Sequence, residues 1–319
     1  MQGDEIISAI LNGYEQDRER AESAAFSVRE KLLENPDYSQ IFYKIKELNL
    51  QIARAEFEQS ESGDDMKNRE KIETLKNERE LKKKELEQIA FSMGVSPEKT
   101  KPEYLCPFCN DSGRAQNGER CACFFPRLIK TVETKLNIET YPHNTFDLCF
   151  SDENSLNLKK QFKNYCEKFG ISDIRNLVIN GGAGRGKTFF AECIASELTG
   201  KGKSVVFLSA IKFNDVLLEY YKSKGSDKKY IFDYLTATDL LVIDDLGTEP
   251  ILSNVTVEYL TAVISERIIK QKAFIITTNL SFDETKTKYT DRLSSRLSEN
   301  NTRWITLKGD DKRRMWANK

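Results

Sequence analysis

The stretch GGAGRGKT, residues 181–188, constrains this chain more than any other. It matches G-x-x-x-x-G-K-[ST], and its surroundings decide what the match is worth. The apolar run NLVIN (176–180) precedes it and reads as a buried strand. TFFAECIASEL (188–198) follows and reads as a helix. A strand feeding a glycine-rich turn that opens a helix is the setting in which this pattern holds phosphate. Gly181, Gly182, Ala183, Gly184, Arg185 and Gly186 supply backbone N–H groups that can curl around a β-phosphate, and the helix N-terminus adds its positive end. Lys187 is placed to reach the β- and γ-phosphates and Thr188 to hold Mg²⁺. An ordinary glycine-rich turn would leave the Lys-Thr register unexplained.

The surrounding sequence repeats the strand–helix alternation. NLVIN, SVVFLSA (204–210), DLLVIDD (239–245) and AFIITTN (273–279) are short apolar runs separated by helical ones. Such runs mean a parallel sheet with helices on both faces, so residues 141–319 are expected to form an α/β domain. In LLVIDDLG (240–247) two acids end an apolar strand, which is costly unless a cation is present. Asp244 is expected beside the Mg²⁺ and its water, and Asp245 is placed to polarise the attacking water. Asn279, at the tip of AFIITTN, either orients that water or simply caps the strand. Arg292 and Arg296 in TDRLSSRLSENN stand four apart and share a helix face. That face is either solvated and ion-paired, or it offers an arginine to the γ-phosphate of a neighbouring subunit. Arg313 and Arg314, in KGDDKRRMW, are candidates to touch phosphate from their own subunit.

Upstream, residues 1–100 read as helices. DEIISAILNGYEQDRERAESAAF carries apolar residues at helical spacing, and Asn35-Pro36 breaks the pattern. Ile41, Ile45, Leu48, Ile52 and Ala55 recur with the spacing of a coiled-coil seam. SESGDD (60–65) reads as a turn. A second charged helix follows with Ile72, Leu75, Leu86 and Ile89 on one stripe, weakened by Arg79 and Lys82. Two helices joined by a short turn form an antiparallel hairpin, either a solvated spacer or a docking arm.

Residues 101–140 hold a third piece: Cys106-x2-Cys109, eleven residues, then Cys121-x-Cys123, with a short helix from about 126 to 136. Two close cysteine pairs on separate turns can set four thiolates at the corners of a tetrahedron, the geometry of structural Zn²⁺. Four thiolates leave no open position, so the site is expected to be structural. An iron–sulfur cluster is the chemical competitor. Cys149, Cys166 and Cys193 are isolated and read as small core residues. His143, the single histidine, reads as an ordinary loop or surface residue.

Composition narrows the classes. The formal net charge of −1 excludes a global basic field, so any nucleic-acid contact must be local. The start MQGDEIISAI has neither the basic region nor the apolar core of a signal peptide, and no run of about 18 apolar residues exists. The expected compartment is the cytoplasm, where clustered thiols stay reduced and point to metal.

The order P-loop, LLVIDD, IITTN, DRLSSRL resembles an AAA+ ATPase. With HNTFDLCF before the core, LLVIDDLGTE, TTNLSFDE and the KGDDKR ending, residues 141–319 resemble the bacterial replicative-helicase loaders of the DnaC/DnaI type. CPFCNDSGRAQNGERCACF also resembles the N-terminal zinc module of loaders of Gram-positive type. The resemblance implies ATP as the nucleotide, Lys187 and Thr188 as its ligands, and Asp244 and Asp245 as the Walker B acids. It implies Asn279 as sensor 1, Arg296 as the arginine finger with Arg292 as the other candidate, and Arg313 as sensor 2. Asp245 departs from the commoner glutamate, which implies slow hydrolysis used as a switch. The implied partners are a hexameric replicative helicase, single-stranded DNA and further copies of the ATPase domain. Lys212, Phe213, Lys222 and Lys224 in SAIKFNDVLLEYYKSKGSDKK are either DNA contacts, with one stacking face, or an ordinary charged helix. Two other readings compete: a transposition helper ATPase of the IstB type, and a zinc-dependent adaptor whose ATPase core senses nucleotide without turnover.

Overall fold

The computed structural model describes residues 4–62, 66–138, 144–149, 151–309 and 311. The chain forms two compact units, one of residues 11–121 and one of residues 1–10 together with 122–319. Helix α1 (Glu5–Leu33) starts the chain, followed by α2 (Pro36–Ser62) and α3 (Met66–Ser92). Arg313, Arg314 and His143 lie outside the described residues, as does the tip of the expected turn at 63–65.

In the smaller unit, Pro36 opens α2 at the first helical position, where its missing N–H costs nothing. The Asn35 side chain accepts the Tyr38 amide at 3.1 Å. The expected hairpin forms. Asn68 donates to the Ala55 carbonyl at 3.0 Å and Lys76 pairs with Glu56 at 2.7 Å near one end. Tyr38 packs with Leu86, Ile89 and Ala90 near the other, so α2 and α3 run antiparallel. Leu48, Ile52 and Ala55 of the seam are buried, while Ile41 and Ile45 are half-buried. Among its described residues α3 buries only Ile72 and Ala90, because Arg79 and Lys82 occupy the stripe and pair with Glu80 and Glu85.

The larger unit contains α4 (Phe124–Lys135), α5 (Glu153–Glu167), β1 (Asn176–Asn180), α6 (Lys187–Gly200) and β2 (Val205–Ser209). It continues with α7 (Ala210–Lys222), α8 (Gly225–Ala237), β3 (Leu240–Leu246), α9 (Thr256–Ile269) and β4 (Ala273–Thr278). It closes with α10 (Phe282–Lys288), α11 (Asp291–Arg296) and β5 (Thr302–Thr306). The strands form one parallel sheet in the order β2-β3-β4-β1-β5. All six residues of β4 are buried, as are the first four of β1 and β3, which is what continuous apolar runs between helix layers require. β2 takes an edge, so its apolar run is buried only alternately. The other edge, β5, has no apolar run to announce it: TRWIT alternates and is half-exposed.

Among the described residues of this unit, one buried charged side chain anchors the sheet from within a helix. Arg267 of α9 has no solvent exposure. Its guanidinium donates to the carbonyls of Leu235 at 2.7 Å, Thr238 at 2.8 Å and Ala273 at 2.5 Å. It thereby ties the end of α8 to the start of β4. Cys166 and Cys193 are buried in the cluster around Phe162 and Phe190, and burial pushes both thiols up to about 12, so they are inert core residues.

Candidate functional site

The predicted phosphate loop sits at the carboxyl ends of β1, β3 and β4, where open parallel sheets hold ligands. Gly181 has φ +151°, and a Cβ there would lie 2.6 Å from the Leu307 carbonyl oxygen, so only glycine fits between β1 and the chain leaving β5. Gly186 enters α6 from the left-handed region at φ +85°. Arg185 folds back to donate to the Leu307 carbonyl at 3.3 Å.

The separate motifs converge on two side-chain chains. In the first, buried Lys187 donates to the carbonyls of Gly181 and Gly182, each at 3.0 Å, and to Asn279 Oδ1 at 2.6 Å. Asn279 Nδ2 in turn donates to Asp245 Oδ1 at 3.1 Å. In the second, Thr188 Oγ1 reaches both carboxylate oxygens of Asp244 at 3.0 Å, and Thr277 Oγ1 donates to Asp244 at 2.6 Å. Burial raises the Asp244 pKa above the usual carboxylate range; the threonine hydrogen bonds work against that, and the adjacent Asp245 carboxylate adds to it. Thr188 and Asp244 thus offer a hydroxyl and a carboxylate side by side, the donor set that suits Mg²⁺.

Asp245 is bent into position by the backbone. Its φ is +61°, and the pairing of β3 with β4 shifts register between Ile243 and Leu246. The bulge turns its carboxylate toward Asn279, and Thr277 Oγ1 accepts its amide at 2.8 Å. Aspartate tolerates this left-handed conformation better than glutamate does. The backbone therefore accounts for the shorter acid. Thr277 serves both acids and was not singled out in the sequence. A threonine inside a wholly buried strand was the available signal.

The arginines stand apart from this cluster. Arg296, at the end of α11, pairs with Glu299 at 2.7 Å, and Arg292 is exposed. Within one chain the ion-paired reading of that face holds. One suggestion for DNA contact is corrected: Phe213 is 2% exposed on the core side of α7 and offers no stacking face. Lys212 is solvent-accessible beside Asp215.

The four cysteines come together. The Sγ atoms of Cys106, Cys109, Cys121 and Cys123 all lie within 4.8 Å of one another. Those of Cys106 and Cys121 are 3.7 Å apart, close to the edge of about 3.8 Å for a tetrahedron with 2.3 Å metal–sulfur bonds. Asn110 and Asp111 take left-handed backbone at φ +48° and +51° to turn the knuckle. The Asp111 carboxylate accepts the amides of Leu105 and Cys106, each at 2.8 Å, fixing the first ligand loop. The donor set fits a structural zinc. Gly113, at φ +71°, lies against the Tyr14 ring of α1, where a Cβ would come within 2.5 Å of Cε2.

A family model described as IstB-like ATP binding protein matches residues 127–298, more than half of the chain. The replicative helicase loader DnaC of Escherichia coli K12 is 24% identical over 161 residues, covering 50% of this chain and 65% of that protein. The replicative helicase loader DnaI of Bacillus subtilis is 29% identical over 116 residues, covering 36% and 37%. The chain therefore spans less than two thirds of the length of these curated relatives. Among solved structures, AMPPCP-bound DnaA from Aquifex aeolicus aligns with TM-score 0.45 and 24% identity over 54% of this chain and 52% of that one. Among the described residues no helix is long and apolar enough to cross a membrane.

Proposed function

The chain belongs to the IstB-like ATP-binding protein family, and from that premise we propose that it is an ATP-switched loader that delivers a hexameric replicative helicase onto single-stranded DNA. The observation that carries the nucleotide part is the convergence of two hydrogen-bonded sets at the loop, Lys187–Asn279–Asp245 and Thr188–Asp244. Lys187 and the loop amides bind phosphate. Thr188 and Asp244 would hold Mg²⁺, which supplies charge neutralisation between the phosphates. Asp245, aimed by its bulge and steadied by Asn279, accepts a proton from the attacking water. Arg296 completes the site of a neighbouring copy, leaving its pairing with Glu299 to do so. Mixing Arg296→Ala with Lys187→Ala subunits should restore part of the turnover that each variant lacks alone; no restoration in assemblies that form would remove Arg296 from this role.

The helicase part rests on the relatives named as loaders and on the helical arm with its cysteine knot, which a transposition helper does not require. The arm makes the helicase contact, and zinc held by Cys106, Cys109, Cys121 and Cys123 would keep its base in shape. The test is capture of purified hexameric replicative helicase by the full chain. Chelation or Cys106→Ser should reduce capture about tenfold or more while ATP binding stays near wild type, because the metal organises a loop remote in sequence from the P-loop. Capture that is absent in the wild type, with transposase bound instead, would favour the IstB-type helper. Capture that survives loss of metal would separate the knot from helicase binding.

A further inference from the structure

A second link leaves the nucleotide site through the loop after β3. Gly247 turns that loop at φ +112°, with Leu280 packed where a Cβ would stand. Two residues on, Glu249 is buried at 4% exposure. Its Oε2 accepts the Gly247 amide at 2.8 Å, and its Oε1 accepts the hydroxyl of Tyr289, which is also 4% exposed. Lys288 donates its ammonium to the Gly247 carbonyl. On the near side, the amide and hydroxyl of Thr248 donate to the Asp245 carbonyl at 3.3 and 2.9 Å. On the far side, Asn214 donates to the Pro250 carbonyl at 3.0 Å and accepts from Thr256 at 2.7 Å. A buried carboxylate is retained only where its oxygens are paired, and here the partners come from two distant segments. The second segment leads straight into α11, because Tyr289 precedes Thr290, whose hydroxyl caps that helix by accepting the Leu293 amide.

We infer that Glu249 and Tyr289 form a latch that positions Asp245 and ties its loop to the helix carrying Arg292 and Arg296. The inference rests on Asp245 being the acid of ATP hydrolysis. Glu249 and Tyr289 are positioning residues: no nucleotide atom need touch them. Any shift of the Asp245 loop is passed through the carboxylate–phenol contact to α11. A subunit's own nucleotide state thereby sets where its arginines stand.

The test uses the full chain with Tyr289→Phe and Glu249→Leu, substitutions of similar size that remove the phenol donor or the carboxylate acceptor. Amide hydrogen exchange should speed up about tenfold both at 245–249 and at 291–296, while β1 and β4 stay protected, because a shared contact loosens both ends at once. In steady state, kcat should fall about tenfold with ATP affinity within about twofold, the signature of lost positioning and not of lost binding. The double variant should be no worse than the weaker single, since both remove one interaction. Exchange that loosens at one segment only, or at neither, overturns the latch. So does an ATP affinity that falls in step with kcat. If the wild type shows no turnover, the hydrolytic reading fails and the exchange measurement alone decides the latch.

Discussion

Arg267→Ala should lower the stability of the larger unit by about 3–5 kcal/mol, since each buried carbonyl left without a donor costs about 1–3 kcal/mol. The guanidinium has no solvent exposure and holds carbonyls from three places: Leu235 at the end of α8, Thr238 before β3, and Ala273 at the start of β4. Alanine leaves those carbonyls unsatisfied and opens a cavity beneath α9. At roughly 2–4 °C per kcal/mol for a unit of this size, the melting temperature should drop by about 10 °C. Arg267→Lys should recover little of this, since one ammonium cannot span a fork of carbonyls. A melt within about 2 °C of wild type for either variant would show that the network is replaced by water at little cost.

Asp245→Asn should lower kcat for ATP by about two to four orders of magnitude while leaving ATP affinity nearly unchanged. The substitution is chosen for its backbone. Asparagine tolerates the φ of +61° that the bulge imposes, and its side-chain oxygen can still accept from Asn279, so charge and basicity are what it removes. Lys187→Ala provides the contrast, because it removes the proposed phosphate contact and should weaken nucleotide binding as well. Turnover by Asp245→Asn at the wild-type rate would transfer the proton-accepting role to another group.

Much of this site was legible in the sequence because each motif is local. GGAGRGKT, the acid pair after LLVI, and Asn279 after IITT announce themselves within a few residues, and the fold brings them together as expected. The cysteine knot was legible for the same reason. What was not legible depends on pairs far apart in the chain. Glu249 meets Tyr289 forty residues later. Thr277 serves two acids on a different strand. Arg267 looks like one more surface arginine in VEYLTAVISERIIKQ until the sheet closes over it. Of the two readings left open for the segment around Phe213, the stacking face fails because the helix turns that side chain inward. β5 was invisible because an edge strand needs no apolar run.

The sheet's strand order has a consequence for how the protein is made. β1 lies between β4 and β5, and its first residue, Asn176, is in register with Thr302, 126 positions later (302 − 176). The carbonyl that walls the phosphate loop belongs to Leu307, just past β5. A ribosome that has finished GGAGRGKT has therefore made every phosphate-facing amide but not the wall behind them. In the nascent domain apolar β1 is unpartnered on both edges until β4 emerges, and on one edge until β5 does, more than a hundred residues after the loop. Such long-range parallel pairing is slow to form and exposes sticky strands meanwhile. A ligand held in that loop would favour chains in which β5 has docked, because it stabilises the folded state over the unfolded one.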